Sequence, residues 1–194
     1  MHARREPALH RRIAGFFILS FLAMLAAACT TVSLVSPYDE QTEQGLSTLY
    51  VDTSNFVDRM IAVHGQPAGT FAQNQQFYSD AMARVDVMIA RSQGFAVRDT
   101  CPSTQFLSRL TDSLPADVRG HVGTLPPGDC QTVVLTALRG AYGDMRDFHR
   151  AQGDRGIPES AREIILTGGV GSLLRTAIAI QAAKHVAAQQ AGAR

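Results

Sequence analysis

The string Thr167–Ser172, TGGVGS, is the first place in this 194-residue sequence where residue types and spacing could do chemistry. A glycine-rich loop cradles phosphate when a strand leads into it and a Gly-Lys-Ser/Thr ending follows, because backbone amides and the lysine then converge on the phosphates. Neither context is present: no lysine follows, and Ile164, Ile165 and Leu166 continue a helical run that opens at Pro158. Gly168, Gly169 and Gly171 are therefore read as packing glycines, which let another helix approach closely or permit a local kink. Asp144, Asp147 and His149 form the second candidate. The two aspartates have the i, i+3 spacing that puts ligands on one helix face, but His149 falls two residues further on, and Arg146 and Arg150 are interleaved. That pattern reads as a solvated, charge-balanced face. His64, His121 and His185 have no spaced partners, and no nucleophile elbow, H-E-x-x-H or dinucleotide fingerprint occurs. The sequence assigns no catalytic residue, no metal ligand and no cofactor, and the chain is read as a non-enzyme.

Cysteine carries the remaining chemistry, beginning at the N-terminus. Arg4, Arg5, Arg11 and Arg12 precede an uncharged apolar run, Ile13 to Ala28, that ends in small residues. This is the order of a secretory signal peptide, and the run is shorter than the roughly 20 residues that span a bilayer. Leu25 to Cys29, LAAAC, resembles the lipobox of bacterial lipoproteins, where small residues precede an obligatory cysteine. The resemblance implies a diacylglyceryl group on the Cys29 thiol, cleavage just before it and acylation of the freed amine. One buried chain holds marginally, at about 0.8 kcal/mol per methylene, and the modification supplies more than one. Thr30 stands where an Asp would resemble an inner-membrane retention signal, so the implied address is the outer membrane, facing the periplasm. The alternatives are a short uncleaved anchor helix, or ordinary cleavage after Ala28 that leaves Cys29 unmodified. The segment Val32–Gly45 also resembles small proteobacterial lipoproteins of no assigned activity, through Tyr38, Asp39 and Glu40, and supplies no function.

Export would place Cys101 and Cys130 in an oxidising compartment, where an even pair is expected to form a disulfide. Zinc is the poorer reading, since no paired histidine motif accompanies them. Loss of the N-terminal segment changes the formal charge from +1 to −2, which argues against nucleic acid as a partner. Lys184 is the only lysine.

The elements that must position these residues read as helices. Ser36, Pro37 and Asp39 open the first, which carries Leu46, Leu49, Tyr50, Phe56, Val57, Met60 and Ile61 and stops at Gly65 and Pro67. Thr70 and Gln73 form a capping box for the second, with Phe71, Tyr78, Met82, Val85, Met88 and Ile89 as its stripe and Gly94 as its end. A short helix holds Phe106, Leu107 and Leu110, and the stretch Pro115–Asp129 is turn-rich. Asp129 caps the next helix, whose face is Val134, Ala137, Leu138, Ala141, Met145 and Phe148. The last helix runs from Pro158 toward Gln190 and is apolar around most of its circumference, which predicts central burial. The expected architecture is all-α: an up-down bundle of four main helices plus one short helix, with one disulfide. The expected division is a removed signal peptide over 1–28, a lipidated start and tether over 29–36, and a helical domain over 37–192. The function that follows is a non-enzymatic, lipid-anchored envelope protein, held to the membrane by Cys29 and acting on an envelope protein partner. The alternative is a binding protein that holds a small apolar or lipidic ligand in the bundle core, near Met82, Met88 and Met145.

Overall fold

The computed structural model describes residues 37–95 and 129–192. Cys29, Cys101, His121, the apolar run and the short helix expected around Phe106 lie outside the described residues. Every described element is helical: α1 (Glu40–Ala62), a single 3-10 turn (Pro67–Gly69), α2 (Phe71–Phe95), α3 (Cys130–Ala151), a second 3-10 turn (Gly153–Arg155), a short α4 (Ala161–Glu163), a π-helical turn (Ile164–Gly168) and α5 (Val170–Gly192). No strand occurs among the described residues, so the domain is all-α with four long helices.

The helix ends follow from their side chains, not always as the sequence suggested. Asp39 caps α1, accepting from the Gln41 amide (3.2 Å) and the Thr42 hydroxyl (2.7 Å), so the helix begins after Asp39 instead of at Pro37. Glu40 and Glu43 complement the dipole in its first turn. Gly65, at φ 75°, takes the left-handed conformation that reverses the chain after α1. The Thr70–Gln73 box does not form as expected. The Thr70 hydroxyl turns back onto the 3-10 turn instead, donating at 2.9 Å to the Pro67 carbonyl that its own amide also reaches at 3.2 Å. Gly94 does not end α2 either, since the helix continues through it to Phe95. Asp129 caps α3 as anticipated, accepting from the Thr132 amide at 2.7 Å.

Hydrogen bonds between helices fix their directions. Along α2 and α3, Ser92 meets Thr132, Asp86 meets Arg139 and Tyr78 meets His149, so the two run antiparallel. Asp58 with Arg162 and Asp39 with Gln181 set α1 antiparallel to the α4–α5 segment. In the resulting bundle α2 packs on α3, α3 on α5 and α5 on α1, and of the neighbouring pairs α1 and α2 touch least. The core is continuous: Leu46, Leu49, Phe56, Val57, Met60, Tyr78, Val85, Leu135, Leu138, Tyr142, Leu173 and Leu174 are all buried. A large apolar side chain contributes about 1.5–3 kcal/mol on full burial, so these helices are held by their shared stripe more than by propensity.

The last helical segment departs most from expectation. Ala161–Gln190 is, among the described residues, the helical stretch long and apolar enough to cross a membrane, yet only 33% of its most apolar window is buried. It lies along one side of the bundle and not at its centre: Ile165, Val170, Leu173, Leu174 and Ala177 face inward, while Ile164 and Val186 are exposed. Nor is it one uninterrupted helix. The Gly169 amide donates to the Ile164 carbonyl, five residues back, at 2.7 Å. The carbonyls released by this turn are not orphaned, because the Arg175 guanidinium donates to Leu166 (2.9 Å) and Thr167 (3.1 Å). The glycines explain the break. A Cβ on Gly171 would run into the Leu166 carbonyl, and one on Gly169 would sit 3.2 Å from the Ile164 oxygen. Their close neighbour is the preceding turn of the same segment, not a second helix, so of the two sequence readings the kink is the one realised.

Candidate functional site

At the end of the bundle where α1 turns into α2, an imidazole sits in a cage of rings. His149 is fully buried, with Phe56, Phe71 and Tyr78 packed around it. Its Nε2–H donates to the Gly69 carbonyl at 2.8 Å, since a carbonyl can only accept. Nδ1 is therefore the acceptor for the Tyr78 hydroxyl, also at 2.8 Å. Burial holds the imidazole below its ordinary pKa, opposed by the bond to Gly69, and burial alone raises the Tyr78 phenol well above its ordinary range. The site depends on backbone contact. A Cβ on Gly156, at φ 71°, would lie 2.5 Å from the Gly69 carbonyl oxygen, so Gly156 lets the turn between α3 and α4 press onto the turn between α1 and α2. The Gly65 amide, donating to the Arg155 carbonyl at 2.8 Å, ties the same two turns.

This corrects the sequence reading of α3. His149 belongs to the buried stripe, and Phe148, expected in the core, is 37% exposed. The signal was present: Gln131, Leu135, Leu138, Tyr142, Met145 and His149 alternate steps of four and three and all are buried. Asp147 stays on the solvated side between Arg146 and Arg150, which hold its carboxyl below the usual range. Among the described residues no cluster of three ligating side chains could hold a metal. Midway along the bundle, the Thr53 hydroxyl donates to the Leu49 carbonyl (2.7 Å) and accepts from the buried Tyr142 hydroxyl (2.5 Å).

The opposite end is polar. Arg91 grips Asp39 through two bonds of 2.8 Å, and the Asp39 amide donates to Gln181 at 3.2 Å. The Arg91 pairing holds the Asp39 carboxyl down at about 2, with help from Thr42 and against the effect of burial. Asp129 accepts from Ser92, which in turn accepts from the Thr132 hydroxyl at 2.9 Å. Lys184 is buried as well, and its desolvation lowers the ammonium pKa against the pull of Asp129 and Asp39. Gln131, 1% exposed, is the exception: among the described residues neither its side-chain oxygen nor its nitrogen has a partner. Cys130, half-buried, begins α3 beside this group.

Where α1 and α2 part, a cleft of about 270 Å³ opens on the side of the bundle. Leu49, Phe77 and Ala81 form its floor, and Asp52, Asn55, Arg59, Asp80 and Arg84 its rim. Sequence reasoning missed this cleft, because its charges are spaced like any solvated helix face. Met88 and Met145, by contrast, are buried in the apolar cluster, with Met82 packed against it. No family model, curated protein or solved structure matches the chain.

Proposed function

We propose that this chain is an exported lipoprotein, anchored through acyl chains on Cys29 to the periplasmic side of the outer membrane, whose helical body acts by contact with an envelope protein instead of by catalysis. The observation that carries the reading is LAAAC at residues 25–29, placed directly behind a basic cluster and an apolar run too short to span a bilayer. Its body supports it in one respect. The hydroxyls of Tyr78, Tyr142 and Thr53 and both nitrogens of His149 are committed to internal hydrogen bonds, which serves a shaped surface more than a reacting centre. In the same compartment Cys130 bridges to Cys101, stapling the start of α3 to the segment before it, and a closed loop of this length is worth about 3–4 kcal/mol in the chain-entropy model.

Metabolic labelling with a fatty acid tests the anchor. The wild-type chain incorporates label and sediments with membranes; Cys29→Ala does neither. Equal labelling of the variant overturns the proposal. A non-reduced digest tests the bridge, and two freely alkylated thiols in protein taken from the envelope would refute it.

A further inference from the structure

The rim of the α1–α2 cleft has an unusual division of charge. Asp52 and Arg84 close one end as an ion pair of 2.6 Å, and so neutralise each other. Arg59 and Asp80, which also line the cleft, form no ion pair with each other or with any other described residue. Arg59 lies over the Phe56 ring at 5.6 Å, a contact that holds the guanidinium without using its in-plane donors. Asp80 accepts one bond, from Gln76 at 2.7 Å, which leaves most of the carboxylate's capacity open. Asn55 stands one helical turn before Arg59 with no side-chain hydrogen bond among the described residues. Beneath them the floor is apolar and fixed, with Leu49 and Ala81 buried and the Phe77 ring stacked on Phe56 at 3.7 Å between centroids.

A cleft with one open cation, one open anion, an amide on the same rim and an aromatic floor is complementary to a molecule with the opposite charges at two points and an apolar body. Its volume falls just under the range of about 300–1,000 Å³ that suits drug-sized ligands, which selects something smaller. We propose that this cleft binds a zwitterionic small molecule of the free α-amino acid class with an apolar side chain, its carboxylate on Arg59, its ammonium on Asp80 and its side chain against Phe77. The site is independent of the lipid anchor and stands or falls separately from it.

Calorimetric titration of the full chain in detergent with L-phenylalanine tests the proposal, with 3-phenylpropanoate and phenethylamine as controls lacking one charge each. L-phenylalanine binds saturably, and each control binds about tenfold more weakly, a gap of about 1.4 kcal/mol. Arg59→Gln removes the advantage over phenethylamine, and Asp80→Asn removes the advantage over 3-phenylpropanoate. Both side chains are exposed, so both variants keep the helical circular dichroism of the parent. Absence of saturable binding overturns the proposal. So does equal binding of all three compounds, or binding that neither substitution alters.

Discussion

Around His149 the interior is sealed with rings, one imidazole and the bare backbone of Gly69 and Gly156; around Asp39 it is sealed with ionised groups and amides. At the first end every polar atom of the imidazole is used, and the tautomer is fixed by a carbonyl that cannot donate. At the second, the ion pair of Arg91 and Asp39 is bidentate but part-exposed, Lys184 is buried close to two carboxylates, and the Gln131 amide has no hydrogen bond among the described residues. Two chemistries therefore close one bundle. A neutral, fully satisfied site in a low-dielectric interior is rigid and intolerant, because removing any member strands another. A charged site nearer solvent is weaker per contact and survives substitution better.

The largest effect should come from the backbone contact. Gly156→Ala forces a side chain into the left-handed region and against the Gly69 carbonyl, and should destabilise by about 3 kcal/mol in urea denaturation. An unchanged midpoint would mean that the two turns can separate freely, and the contrast between the ends would lapse. Next, Tyr78→Phe leaves the buried Nδ1 of His149 without a donor and should cost about 1–3 kcal/mol. The pH dependence sharpens this. His149 has a folded pKa below 6.5, so the unfolded chain takes up the proton first. Stability should be full above that value and decline as pH falls through it, by at most about 1.4 kcal/mol per pH unit. In His149→Gln this decline should vanish from the urea midpoints.

At the polar end the effects are smaller. Arg91→Ala should cost about 1–2 kcal/mol, the range for a part-buried bidentate pair with charge-assisted bonds. Asp39 has its pKa lowered to about 2, so its contribution is present above about pH 4 and fades as pH falls toward 2. Arg91→Ala should remove much of that acid-range slope in pH-dependent thermal melts while leaving the one near 6.5 intact. Last, Gln131→Leu should stabilise by about 1 kcal/mol, since it exchanges an unsatisfied amide for an apolar group of similar shape. A drop in melting temperature would show that this amide has a partner after all.

Sequence periodicity found the α1 and α2 stripes almost residue for residue, because an amphipathic helix repeats its apolar face every turn. It failed at His149, whose polarity hid a position that spacing alone marked as buried, and at Phe148, whose ring suggested the core while its phase pointed out. Helix ends were less legible. Ser36 and Asp39 are both good caps by residue type, and in the fold Thr42 and Arg91 are arranged around the Asp39 carboxylate. The α1–α2 cleft was beyond sequence, since Arg59 and Asp80 belong to different helices and nothing local distinguishes an unpaired charge from a paired one.

The π-helical turn changes how distance along the chain translates into angle. The inward-facing Ala161, before it, and Ile165, in its first part, are four apart, those after it follow at steps of three and four, and the step from Ile165 to Val170 is five. In a continuous α-helix a five-residue step would rotate Val170 about 140° away from the face of Ile165. The turn takes up one residue, returns the two stripes to a common phase and so lets Val170 point into the bundle. A helical wheel drawn straight through residues 161–190 therefore smears one buried face around the circumference. Part of the all-round apolar character of this segment is in that sense a phase error, produced by plotting two stripes on a single uninterrupted wheel; the rest is real, since Ile164 and Val186 are exposed.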